Sequence, residues 1–158
     1  MSHSRLSYDA FTKIAPVAPQ SLIAMGREAD ESGIDKQIIE LVKLRVSQLN
    51  NCAFCLQIHL NVARKLGLPQ EKLDLVATWQ EAGIFSEREC AALDWSETLT
   101  RLVGHSVPDA AYEAVRRHFT EEEVVVLSVS IATINAWNRL GAAFRFAPPI
   151  AGAIRPAA

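Results

Sequence analysis

Charge of one sign, cysteine and long apolar runs are scarce in this 158-residue chain, and each scarcity excludes something. Lysine and arginine number 16 against 18 aspartates and glutamates, a net charge of −2, so no basic footprint for nucleic acid and no polybasic membrane patch is present. No apolar run reads as a membrane span, and the opening residues, Met1 to Lys13, lack the basic start and apolar stretch of a secretory signal. Cytoplasm is therefore the expected compartment. Three cysteines, an odd count, argue against a closed disulfide framework; in a reducing compartment a close pair points to catalysis or metal binding. Strand, hairpin and repeat signals are missing as well, which leaves an all-α fold.

What is present reads as helix. The length suits one domain, residues 1–158, with 49 % hydrophobic residues to fill its core. A helix from Pro19 should end at Gly33, and a second, with Ile38, Leu41, Val42 and Leu49 at helical spacing, should end at the Asn50-Asn51 break. Asn51 is the expected N-cap of a third helix, from about Cys52 to Leu66, stopped by Gly67 and Pro69. A shorter helical stretch follows from Gln70 to Trp79. Ser86-x-x-Glu89 and Thr120-x-x-Glu123 are capping boxes, and Pro108 suits the first turn of a helix between them. Val124 to Asn135 is rich in β-branched residues, yet its capping box and its continuation to Phe144 favour one buried helix of about 20 residues. Residues 1–18 and the proline-bearing tail from Ala147 read as arms that dangle or dock on a neighbouring subunit, around a core of about residues 20–146.

Chemistry concentrates in Cys52-x-x-Cys55-x-x-x-His59. At 100° per residue the three positions fall within an arc of about 60°, on one helix face, and Cα atoms three apart lie about 5–6 Å from one another, within disulfide reach. Sulfurs in a first helical turn meet unpaired N–H groups and the positive end of the dipole, which favours thiolate. Dipole proximity favours Cys52 as nucleophile; proximity to His59 favours Cys55. If the Asn50-Asn51 break folds the helices into a hairpin, Glu40 lies about 15 Å from the bend and His59 about 12 Å, so the carboxylate can orient the imidazole. Zinc is the main competitor, but Cys52, Cys55, His59 and Glu40 lack the second distant pair of a structural site, and no metal or other cofactor is expected. Cys90 reads as a structural thiol, His118 as a cap for its helix's carbonyls, His3 and His105 as arm and loop residues, and Trp79, Trp95 and Trp137 as core.

The spacing Glu40, eleven residues, Cys52-x-x-Cys55, then His59 and the stretch Ala63 to Gly67 resembles the signature of the alkylhydroperoxidase D-like branch of the carboxymuconolactone decarboxylase superfamily. Segments 41–55, 86–100, 107–119 and 134–140 are similar to that family's core too. The resemblance implies a helical bundle assembling as a homo-oligomer, trimer or hexamer, with thiol-dependent peroxidase activity. On it, Cys55 corresponds to the peroxide-attacking cysteine, Cys52 to the resolving partner, and Glu40 and His59 to the proton relay. The implied partners are a hydroperoxide substrate and a thiol or dithiol reductant. The best-studied members place a second histidine between the cysteines; here Phe54 stands there, which implies a shorter relay and a greasy approach suited to organic hydroperoxides. Two other readings use the same residues: a redox-sensing or electron-relay module, and a decarboxylase working through Glu40 and His59 alone.

Overall fold

The computed structural model describes residues 4–150 and, at Asp30, the backbone alone. His3 and the tail beyond residue 150 lie outside the described residues. Every regular element described is helical: α1 (Tyr8–Ile14), α2 (Val17–Glu31), α3 (Lys36–Leu49), α4 (Ala53–Lys65), α5 (Gln70–Leu75), a 3-10 turn (Val76–Thr78), α6 (Trp79–Ala82), α7 (Glu87–Thr100), α8 (Asp109–Arg116) and α9 (Glu121–Phe144). The all-α expectation holds, and the β-branched segment is helical because its start is fixed. Thr120 Oγ1 accepts from the Glu123 amide while the Glu123 carboxylate accepts from the Thr120 amide, and Ser86 with Glu89 does the same for α7. Such a cap stabilises its helix by about 1 kcal/mol. Tertiary packing then overrides strand propensity, because Val124, Leu127, Ile131 and Ile134 share one buried stripe of α9.

Helix α3 organises the interior because it is apolar on two faces. Ile38, Val42 and Val46 enter one cluster with Leu127 and Ile131 of α9, while Leu41 and Leu44 enter another with Leu93 of α7 and Trp79. Each such side chain contributes about 1.5–3 kcal/mol on burial. By length and composition alone α9 could cross a membrane, contrary to the expectation from the sequence; here its buried stripe packs on α2, α3, α4 and α7. Polar pins fix the register between α3 and α9. Asn50 Nδ2 donates to Asn135 Oδ1 at 2.9 Å and Asn138 Oδ1 at 3.0 Å, and Asn138 Nδ2 donates to Ser47 Oγ at 3.2 Å.

Several local expectations need correction. Helix α2 begins at Val17, before Pro19, which sits in the first turn where its missing N–H costs nothing. Asn51 is not the N-cap of α4: its φ of 54° makes it the left-handed corner, and Cys52 takes the cap, its Sγ accepting from the Cys55 amide at 3.3 Å. Asparagine tolerates that corner better than most residues, so the bend survives with its roles shifted by one position. The described part of the N-terminal arm docks on its own chain. Arg5 donates from its amide to the Phe144 carbonyl at 2.9 Å, and Phe11 and Tyr8 pack on Phe146 with ring centroids 5.5 and 5.6 Å apart. The arm meets the end of α9 there because each carries aromatic surface the other can bury. His118 does not cap its helix through its ring; Arg116 and Arg88 bond the nearby Phe119 and His118 carbonyls instead.

Candidate active site

The break at residues 50–52 folds α4 back along α3. Gln37 Nε2, at the start of α3, donates to the Leu66 carbonyl at the end of α4, 3.0 Å away, so the pair is an antiparallel hairpin. Two positions 19 apart in sequence thereby meet: His59 Nδ1 lies 2.8 Å from Glu40 Oε2. Lys43 Nζ donates to the other carboxylate oxygen at 3.0 Å. Glu40 is 4 % exposed. Burial pushes its pKa up, but the hydrogen bond and charge of His59, then Lys43, more than reverse this and hold it below the ordinary value. With Nδ1 committed to Glu40, His59 keeps Nε2 for a second partner, and its ring lines a cavity.

Cys52 and Cys55 are joined as a disulfide with Cα atoms 5.4 Å apart, the separation expected of positions one helical turn from each other. Both are buried. Glycine makes this possible from the far side. A Cβ at Gly141 of α9 would stand 2.7 Å from Cys52 Sγ and 3.2 Å from Cys55 Sγ, so only a residue without a side chain lets α9 close over the sulfurs.

All four expected residues, Glu40, Cys52, Cys55 and His59, are thus brought together, with Cys55 and His59 facing a cavity of about 490 Å³. Phe54, Ile58, Ile134 and Trp137 give it an apolar wall, and Tyr8 of the N-terminal arm stacks on Phe54 with centroids 5.6 Å apart. Polar groups on the lining include Lys43, Arg27 and Ser130. Trp137 is half-buried, packed on the core on one side and open to this cavity on another, so the reading of it as core alone is incomplete. Sequence reasoning missed Tyr8 and Gly141 here, because neither belongs to a local motif with the cysteines. Segment 134–140 is marked in the sequence only by its likeness to the family's core. Cys90 stands apart, half-buried, its thiol pushed up chiefly by burial and then by the Glu89 charge. Among the described residues no group of three or more His, Cys, Asp and Glu side chains is set to hold a metal ion.

Known proteins place this geometry in context. Residues 16–98, which carry all four residues, match the profile of the carboxymuconolactone decarboxylase family. An uncharacterized protein, YdfG of Bacillus subtilis, is 38 % identical over 134 residues, covering 85 % of this chain and 91 % of its own. YnjA of Escherichia coli, also uncharacterized, is 30 % identical over 117 residues, covering 73 % and 63 %. A crystal structure from Agrobacterium tumefaciens, of a protein of unknown function described as a candidate antioxidant defence protein AhpD, is 35 % identical with a TM-score of 0.86, covering 94 % of this chain and 99 % of that one. A peroxidase-related protein of Ralstonia eutropha with an AhpD core, 24 % identical at a TM-score of 0.75 over 88 % and 74 %, shares the fold. With the profile spanning the whole Glu40-to-His59 hairpin and an AhpD-like relative matching nearly end to end, the chain belongs to the carboxymuconolactone decarboxylase family, in its AhpD-like branch.

Proposed function

We propose that this protein is a thiol peroxidase that reduces organic hydroperoxides through Cys55 and Cys52. The observation that carries the reading is the joining of Cys52 to Cys55 beside a Glu40-held imidazole on the wall of an apolar cavity. Of the two sulfurs, Cys55 belongs to the residue that lines the cavity, which supports it as the attacking one. In the reduced protein His59 accepts the Cys55 thiol proton, and Glu40, kept ionised with the help of Lys43, stabilises the imidazolium that results. The thiolate attacks the terminal oxygen of the hydroperoxide; an S–O bond forms, the O–O bond breaks, and the electron pair leaves on the alkoxide. His59 returns the proton, so alcohol departs and Cys55 is a sulfenic acid. Cys52 then attacks that sulfur, its thiol proton leaves with the hydroxyl as water, and the disulfide closes. A dithiol donor restores both thiols by exchange, supplying two electrons and two protons. A reducing cytoplasm supplies such donors, and a homo-oligomer is the assembly this reading takes.

Phe54, between the cysteines in sequence, lines the cavity and is held by Tyr8 and Phe146. It brings hydrocarbon surface to the reacting sulfur, which supports a bulky organic peroxide over hydrogen peroxide.

Thiol titration before and after a small excess of cumene hydroperoxide tests the reading. Reduced wild-type protein is expected to lose both motif thiols, Cys52→Ser one, and Cys55→Ser none. A wild-type protein that keeps both thiols removes the peroxidase. Oxidation without turnover under several dithiol donors makes it a redox sensor. The Glu40–His59 pair could also serve proton transfer without sulfur, and lactone decarboxylation surviving Cys52→Ser with Cys55→Ser would establish that alternative.

A further inference from the structure

The cavity is polarised along its length. Its α9 residues, Ser130, Thr133, Ile134 and Trp137, span about 10 Å of helix. Gly141, which closes over the sulfurs, is one turn beyond Trp137, so Trp137 marks the sulfur end and Ser130 the far end. Both cations of the lining, Arg27 and Lys43, belong to the far end. Phe11 packs on Phe144 with ring centroids 5.8 Å apart, so α2 starts beside the last turn of α9 and, packed along it, runs back toward Thr120. Arg27, ten residues into α2, lies about 15 Å along it from that start. Lys43 stands seven residues, about 10 Å, back along α3 from the Asn50 bend, and Cys52 lies just past that bend.

The two cations differ in what answers their charge. Lys43 Nζ donates to Glu40 Oε1 at 3.0 Å, so a buried carboxylate already holds it. Arg27 is exposed, and the wall it lines carries no aspartate or glutamate. Its neighbour Gly26 is unusual too. It sits inside α2, where glycine is a poor helix former, and no positive φ calls for it. A Cβ there would meet no atom within 4 Å, so close packing does not call for it either. The missing side chain leaves a notch in the cavity wall, one residue from the guanidinium. An apolar cavity with thiols and an imidazole at one end and a guanidinium at the other fits a molecule with two matching ends.

We propose that Arg27 is a substrate-binding residue: it receives the carboxylate of an amphiphilic hydroperoxide whose peroxide end reaches Cys55. The inference rests on the peroxidase reading of this cavity and adds the charge of its substrate. The ligand class is a long-chain carboxylic acid that carries its hydroperoxide far from the carboxylate, with the chain along Ile58, Ile134 and Thr133. A lone carboxylate is costly to bury; at the notch it leaves the apolar wall, stays in reach of water and meets a planar, two-bond donor. Arg27 holds the substrate far from the breaking bond, so it binds ground state and transition state alike. It therefore lowers the concentration needed for saturation and leaves the maximal rate unchanged.

Reduced protein mixed with linoleic acid hydroperoxide, its methyl ester or cumene hydroperoxide tests this, with thiol loss followed against peroxide concentration. Wild type should half-saturate at about three- to tenfold lower concentration with the acid than with the ester, the scale of a bidentate pair at an exposed site. Added salt should narrow that gap. Arg27→Gln should raise the acid's half-saturating concentration to the ester's and leave the maximal rates, the ester and cumene hydroperoxide unchanged. Gly26→Leu, which fills the notch, should remove the gap as well, with a melting temperature level or higher because leucine is the better helix former. Binding of decanoate and decanol to the oxidised protein, followed by tryptophan fluorescence, needs no chemistry: decanoate should bind tighter in wild type and no tighter in Arg27→Gln. Equal half-saturation for acid and ester in wild type overturns the assignment, as does a gap that survives Arg27→Gln. Wild-type thiols that survive all three peroxides, with decanoate binding still dependent on Arg27, overturn the peroxidase and leave Arg27 as the carboxylate-binding residue.

Discussion

Two carboxylates in this molecule are buried to nearly the same depth and have different surroundings. Glu97 on α7 is 5 % exposed and Glu40 on α3 is 4 % exposed. Glu97 Oε1 receives Arg45 at 2.6 Å and the Trp79 indole at 2.9 Å, while Oε2 receives Arg101 at 2.8 Å. Guanidinium and indole do not release protons in the working range, so this cluster is a closed electrostatic rivet between α3, α6 and α7. Glu40 receives one fixed cation, Lys43, and one group that can exchange a proton, His59, and the imidazole borders a cavity. In both, burial raises the carboxyl pKa and the partners more than reverse it. Depth and charge alone therefore do not mark a reactive site. A transferable proton beside an opening does.

Removing the rivet should have the largest effect. Glu97→Ala leaves Arg45 buried without its carboxylate and should destabilise the fold by about 3–5 kcal/mol, read as the shift in urea midpoint. The fraction that stays folded should lose thiols to hydroperoxide at the wild-type rate. Glu40→Gln should show the opposite signature. An amide of the same shape can still hydrogen-bond His59 but cannot stabilise its protonated form, so thiol loss should slow by about a hundredfold, with a smaller stability cost. Stopped-flow thiol loss measures it. Should Glu97→Ala slow the folded protein as much as Glu40→Gln does, the distinction between the two carboxylates is wrong.

The contrast also shows what a sequence can carry. Glu40, Cys52, Cys55 and His59 were legible because helical phase and one bend fix them: three share a face within eight residues, and the fourth is brought level by the Asn50-Asn51 break. Most helix limits were legible for the same reason, since capping boxes and the glycines at 33 and 67 act within a turn of themselves. The Asn51 cap failed by one residue because asparagine serves caps and left-handed corners alike, and only the path of the chain decides between them. Tyr8 and Gly141 were beyond reach. They come to the site from remote parts of the chain, and what matters about each is visible only after packing: a ring over Phe54 and a missing Cβ. Glu97 stayed unread for a related cause, because Arg45, 52 positions earlier, reaches it only once α3 lies against α7.

Acid should produce the smallest separation between the two carboxylates and the finest test of it. Each is held below the ordinary value of 4.5, so in the window beneath 4.5 the unfolded chain binds protons that the folded chain refuses. The stabilisation is complete above 4.5 and is lost as pH falls through the folded values. Wild-type melting temperature should therefore be level from pH 7 to 5 as far as these two groups decide it, and fall below that. Glu97→Gln and Glu40→Gln should each start lower at neutral pH and fall less steeply in acid, since each removes one group that resists protonation. A curve unaltered by Glu40→Gln would mean that His59 and Lys43 do not keep that carboxylate ionised. The imidazole would then have lost the fixed negative charge that lets it take a proton from Cys55, leaving the two sites different in their partners but alike in their chemistry.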